Sequence, residues 1–107
     1  MKVEVFYVLD CSHHPRVVQE LRNVLLSEGI LEEIHEVAVS NSSAAREFKF
    51  RGSPTIRING RDVAGESPEH ELYALACRIY PGAKEPGVPP VDMIRRAVLR
   101  AREGETM

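Results

Sequence analysis

The strongest constraint on the fold lies near the start of the chain, where an apolar run leads directly into an amphipathic run. Residues 2–9 are almost continuously apolar, which is typical of a central strand buried on both faces. From residue 15 to residue 28 the apolar positions recur at helical spacing, and Gly29 is placed to end a helix. Residues 34–39 predict a second strand. A strand–helix–strand order implies two parallel neighbouring strands joined by a right-handed crossover.

The second half of the chain predicts a hairpin and two further helices. A short helix is expected over 43–48, because Ser40-Asn41-Ser42-Ser43 is rich in residues that cap helix N-termini. Asn59-Gly60 between apolar flanks is a strong hairpin signal, and residues 90–102 have the spacing of an amphipathic helix.

Residues 66–89 are less regular and interrupt this pattern. Several prolines and glycines break the segment, although apolar spacing permits a helix over residues 68–79. We therefore expect one α/β domain over residues 1–107. Its four-stranded mixed sheet should have the order 2-1-3-4, with helices on its flanks and an insertion at 66–89 before the last helix.

Composition narrows the class of protein. The chain has 107 residues, of which 43% are hydrophobic and 28% charged, as in ordinary globular domains. The net charge of −2 gives no indication of nucleic-acid binding. The sequence contains neither a signal peptide nor a membrane-spanning run, so we expect a cytoplasmic protein with no membrane partner. No cofactor is expected.

Cys11 lies at the junction between the first strand and the first helix. At the start of a helix the unpaired backbone N–H groups and the positive end of the helix dipole favour the thiolate, the form that attacks disulfides and binds soft metals. The chain has 2 cysteines and no export signal, which favours reactive thiols over structural disulfides. Cys11 is therefore the leading candidate for a catalytic residue.

Two motifs give the chain a resemblance to the thioredoxin-fold superfamily. Cys11-Ser12-His13-His14 is similar to the Cys-x-x-Cys motif, and Ser53-Pro54-Thr55 is similar to the segment that contains a cis-proline in thioredoxins and glutaredoxins. The resemblance implies a thioredoxin-like sheet in which a cis Ser53–Pro54 bond lies beside Cys11. It also implies that Ser53, Pro54 and Thr55 bind the substrate.

The sequence departs from that pattern at the second cysteine, which His14 replaces. The other thiol is Cys77, inside the insertion, which must leave and return at the end of the sheet that carries Cys11. Two separated cysteines and the segment Cys77-Arg78-Ile79-Tyr80 resemble small thioredoxin-like proteins related to alkylmercury lyase. The resemblance implies a pair of catalytic cysteines, Cys11 and Cys77. His14 stands where the lyases have an aspartate, and it is a candidate catalytic residue because an imidazole can hold a positive charge beside a thiolate or transfer a proton. The alternative is that His14 is a solvated residue of the first helical turn.

Three functions remain open at this point. The first is thiol–disulfide exchange, in which Cys11 attacks and Cys77 resolves, with a protein or a small-molecule thiol or disulfide as the partner. The second is binding of a soft metal ion or an organomercurial by the same two thiolates. The third is a non-catalytic thioredoxin-like interaction module. Enzyme activity is thus undecided from the sequence.

Overall fold

A four-stranded sheet and three helices make up the part of the chain that the computed structural model describes, residues 1–65, 73, 75–85 and 87–105. In chain order the elements are β1 (Val3–Tyr7), α1 (His14–Ser27), β2 (Ile34–Ala38), α2 (Ser42–Glu47), β3 (Thr55–Ile58), β4 (Arg61–Asp62) and α3 (Val91–Glu105). Within these ranges, no helix is both long and apolar enough to cross a membrane.

The strand order is β2-β1-β3-β4, as the sequence predicted. β1 lies in the centre, parallel to β2 and antiparallel to β3, and β3 is antiparallel to β4. The sequence of β1, which is apolar except for Glu4, suits this position, because a central strand is covered on both faces. The α/β class and the mixed sheet flanked by helices are therefore confirmed.

Side chains on the two faces of β1 enter two different hydrophobic clusters. Val3 and Val5 are fully buried in the larger cluster, together with the apolar faces of α1 and α3. Phe6 points to the opposite face and packs in a smaller cluster with Ala45 of α2 and Phe50. The sheet is consequently covered on both faces, which fixes the register of its central strand.

The β3–β4 hairpin turns at Asn59-Gly60, as expected. Both residues have positive φ values, 53° and 80°, the combination required by the tight turns that fit the twist of a hairpin. The Asn59 side chain also accepts a hydrogen bond from the backbone N–H of Lys2 at 2.8 Å. This bond joins the turn to the beginning of the central strand.

The helix that apolar spacing permits over 68–79 is absent at its described C-terminal end. Residues 75–80 contain no helix, and Cys77 forms an isolated parallel bridge with Ser53 instead. We call residues 75–80 the strap. Arg78 and Tyr80 are buried whereas Cys77 and Ile79 are exposed, so burial alternates over residues 77–80, which is the period of an extended chain. Residues 66–72 and 74 lie outside the described residues.

Candidate functional site

Cys11 lies in the short connection between β1 and α1. Its backbone N–H donates to the Val8 carbonyl at 3.0 Å, and its own carbonyl accepts from the His14 N–H at 3.4 Å. The helix begins at His14 with His13 as the N-cap residue, so Cys11 precedes the cap rather than lying in the first helical turn. The thiol is free and partly exposed, which leaves it accessible to a small reactant.

Ser53 lies beside the end of β1 that leads to Cys11. Its hydroxyl oxygen accepts a hydrogen bond from the Val8 N–H at 3.0 Å, and its side chain is fully buried. The Ser53–Pro54 peptide bond is cis, the conformation expected from the resemblance. The antiparallel pairing of β1 with β3 brings these residues together, since it places Phe6 opposite Thr55.

The strap pairs with the backbone of Ser53. The Ser53 N–H donates to the Ala76 carbonyl at 2.7 Å, and the Ser53 carbonyl accepts from the Arg78 N–H at 3.0 Å. Both backbone polar groups of Ser53 are therefore satisfied by the chain itself. Cys77 lies between the two bonded strap residues, and its thiol is free and exposed.

A buried ion pair fixes the strap to the hairpin. Arg78 donates two hydrogen bonds to the Asp62 carboxylate, at 2.7 and 3.1 Å, and a third to the Thr55 hydroxyl at 3.1 Å. The side chains of Arg78 and Asp62 are only 6% and 5% exposed. Arg51 contributes a second cation at 3.2 Å from Asp62, so the carboxylate has more than one partner.

Tyr80 makes a further contact from the strap to the cis-proline segment. Its hydroxyl donates to the Pro54 carbonyl at 2.6 Å, and the Arg78 guanidinium lies 4.5 Å from the centre of its ring. The ring is 2% exposed, and burial raises the pKa of this phenol well above its ordinary value. Tyr80 therefore stays protonated and donates throughout the neutral pH range.

Gly52 allows the strap to approach this closely. Its φ is +113°, and a Cβ at this position would lie 3.0 Å from the Arg78 Cβ and 3.1 Å from the Ala76 carbonyl oxygen. Any side chain would therefore displace the strap or the residues that precede Pro54. A glycine directly before Ser53-Pro54 thus serves the contact between the two segments.

The later part of the insertion contacts the start of α1. Glu85 lies 2.7 Å from the Arg16 guanidinium and 3.8 Å from the His13 ring, and Gly87 packs against that same ring. A Cβ at Gly87 would lie 2.3 Å from the His13 Cδ2, so a larger residue would displace the His13 ring. The insertion consequently contacts the chain at Ser53 and at His13, which lies two residues after Cys11.

His14 is not directed at the Cys11 thiol. Its ring stacks on Tyr7, with ring centres 3.7 Å apart and planes inclined by 9°, and its Nε2 lies 2.7 Å from the Glu36 carboxylate. In the described part of the chain, no hydrogen bond joins the Cys11 Sγ to this ring. The contacts of the His14 ring are thus with the sheet.

The structure places Cys11, Ser53, Pro54 and Cys77 near the end of the sheet where β1 finishes and β3 begins. The His14 ring, which contacts Tyr7 and Glu36, is outside this group. Sequence reasoning did not identify the residues that attach the strap, namely Asp62, Arg78 and Tyr80. The alternation of Cys77 and Ile79 with Arg78 and Tyr80 has the period of an extended segment, but it predicts that Cys77 and Ile79 are buried, which is the reverse of the observed burial. Among the described residues, no three His, Cys, Asp or Glu side chains form a metal-binding group.

Comparison with known proteins found no matching family, no matching curated protein and no matching solved structure.

Proposed function

We propose that this protein has a thioredoxin-like fold and catalyses thiol–disulfide exchange, with Cys11 as the attacking thiol and Cys77 as the resolving thiol. The observation that carries the proposal is the pairing of Cys77 with Ser53. Ser53 also binds Val8, whose carbonyl accepts from Cys11, so both thiols belong to segments that meet at one residue. Both are free, and neither is buried.

The reaction proceeds in two exchanges. The Cys11 thiolate attacks one sulfur of a disulfide, forms a mixed disulfide with it and releases the other half as a thiolate. The Cys77 thiolate then attacks the Cys11 sulfur and releases the second half. The substrate gains two electrons and becomes two thiols, while the protein is oxidised to a Cys11–Cys77 disulfide. An external thiol of low molecular weight reduces this disulfide again by the same exchange.

In this proposal His14 supports the site rather than acting on sulfur. Its ring bonds to Glu36 and stacks on Tyr7, which fixes the first residue of α1 against the sheet. The protons that the released thiolates require come from solvent, because both thiols are accessible to it. Ser53, Pro54 and Thr55 shape the edge of the site through their backbone and through their bonds to the strap.

Intact-mass measurement tests the two roles directly. Reduced protein treated with oxidised glutathione should lose two hydrogens without forming a dimer, because Cys77 displaces glutathione from Cys11. Cys77→Ser should instead accumulate a glutathione adduct at Cys11, and Cys11→Ser should accumulate little adduct. Stable adducts in the wild type would contradict the resolving role of Cys77. A wild type that forms neither product would favour the non-catalytic interaction module.

The same thiols support a second candidate function, binding of a soft metal ion. Thiolates select soft ions such as Cu(I), and two of them lie on segments joined at Ser53. A titration with Cu(I) should then give one bound ion per chain, and either serine variant should lose it. Retention of the ion in Cys77→Ser would exclude a two-thiolate site.

A further inference from the structure

We infer that the strap closes the strand edge beside Pro54 to extended peptides, so that Cys11 exchanges with small-molecule disulfides rather than with protein disulfides. The inference rests on the proposed thiol–disulfide exchange and specifies its substrate class. Its basis is that the backbone groups of Ser53 are already bonded within the chain.

An extended peptide binds a strand edge through backbone hydrogen bonds to unpaired N–H and C=O groups. At Ser53 these two groups are bonded to Ala76 and Arg78, at 2.7 and 3.0 Å. The strap therefore occupies the place that a peptide strand would take. A peptide can pair there only in molecules whose strap has opened, so its apparent affinity falls in proportion to the open fraction.

The contacts of the strap make that open fraction small. Opening would separate the buried Arg78–Asp62 pair, break the bond from the Tyr80 hydroxyl to Pro54 and expose the ring of Tyr80, which is 2% exposed. Asp62 would keep Arg51, which lies 3.2 Å away, but the hydrogen bonds from Arg78 to Asp62 and Thr55 are lost together with the burial of the Tyr80 ring. Gly52 also packs closely against Ala76 and Arg78 of the strap.

The second contact of the insertion restricts access from the helix side. Glu85 and Gly87 lie against His13, two residues after Cys11, and the strap contacts Ser53. Cys11 itself remains partly exposed. This arrangement admits a small disulfide to the sulfur atom without admitting an extended chain on either side of it.

The test compares two disulfides in the Cys77→Ser background, where only the first attack by Cys11 occurs. One probe is oxidised glutathione, and the other is a pair of unstructured ten-residue peptides joined by one disulfide. Mass spectrometry follows the mixed disulfide at Cys11. Glutathione should react at least about tenfold faster than the peptide probe, because the peptide reacts only with the small fraction of molecules whose strap is open.

Two variants weaken the strap by different routes. Arg78→Ala removes the ion pair, and Tyr80→Phe removes only the hydroxyl that donates to Pro54. Each should raise the peptide rate by the factor by which it raises the open fraction, while the glutathione rate stays within about twofold. Tyr80→Phe keeps the ring in the core, so the comparison holds even where Arg78→Ala does not fold.

The outcomes separate this inference from the proposed function. Equal rates for the two probes, or peptide rates that neither strap variant increases, would overturn the inference and leave thiol–disulfide exchange intact. A protein that reacts with neither probe would contradict both this inference and the proposed thiol–disulfide exchange. Hydrogen exchange gives a readout that needs no thiol chemistry: the Ser53 and Arg78 amides should exchange as slowly as those of the β1–β3 pair. Rapid exchange there would show an open strap and contradict the inference.

Discussion

Replacing Arg78 with Met is the sharpest test of how the strap is attached. The substitution retains most of the aliphatic stem and removes the guanidinium, which makes two hydrogen bonds to Asp62 and one to Thr55. Breaking a buried ion pair by removing one partner usually costs about 3–5 kcal/mol, because the remaining charge stays buried without compensation.

The expected cost here lies below that range. Asp62 keeps a second cation, Arg51, at 3.2 Å, and its carboxylate still accepts the Ala64 N–H at 2.9 Å. The Thr55 hydroxyl still donates to the Gly52 carbonyl at 2.7 Å. Since no buried polar group becomes isolated, we expect Arg78→Met to lower the free energy of unfolding by about 2–3 kcal/mol.

Urea unfolding followed by circular dichroism measures this difference, with Arg95→Met as the matched control. Arg95 also contacts a carboxylate, Glu28 at 3.5 Å, but its side chain is 38% exposed. Solvent screens such a pair, so the control should lose less than about 1 kcal/mol. An Arg78→Met variant no less stable than the control would refute the reasoning that the buried pair attaches the strap.

Three further predictions follow from other contacts of the site. Because burial raises the pKa of Tyr80, the phenol loses its proton at a lower pH in the unfolded chain than in the folded protein. The contribution of Tyr80 to the free energy of unfolding should be fully present below about pH 10 and should then fall by up to about 1.4 kcal/mol per pH unit. Urea midpoints between pH 8 and 11 should show this fall in the wild type and a smaller one in Tyr80→Phe. Gly52→Ala should destabilise the protein by about 1 kcal/mol more than Gly65→Ala, since both have positive φ but only Gly52 contacts the strap; equal losses by thermal unfolding would contradict the close approach. Glu36→Gln should lower the free energy of unfolding by at most about 1 kcal/mol and leave the alkylation rate of Cys11 unchanged, because the His14 ring that Glu36 binds makes no hydrogen bond to the thiol. Slower alkylation of Cys11 in this variant would indicate that His14 acts on the thiol.

The sequence alone determined the order of the sheet and the location of Cys11 between the first strand and the first helix. Residues 3–7 form the central strand because an apolar run interrupted only by Glu4 must be covered on both faces. The handedness of the crossover and the turn at Asn59-Gly60 then leave few arrangements for the other strands. Each of these signals lies within a short stretch of sequence, so it can be recognised without the tertiary structure.

Only the tertiary structure decided the path of the strap. Its apolar spacing fits a helix, yet residues 75–80 contain no helix. Arg78 bonds to Asp62 and Thr55 instead, and the backbone on either side of Cys77 bonds to Ser53. These partners lie far away in the sequence, and a buried guanidinium with three hydrogen bonds outweighs a weak local preference for helix. Whether Cys77 would lie near the cis-proline edge or away from it was therefore decided by long-range polar contacts, which hydrophobic periodicity does not encode.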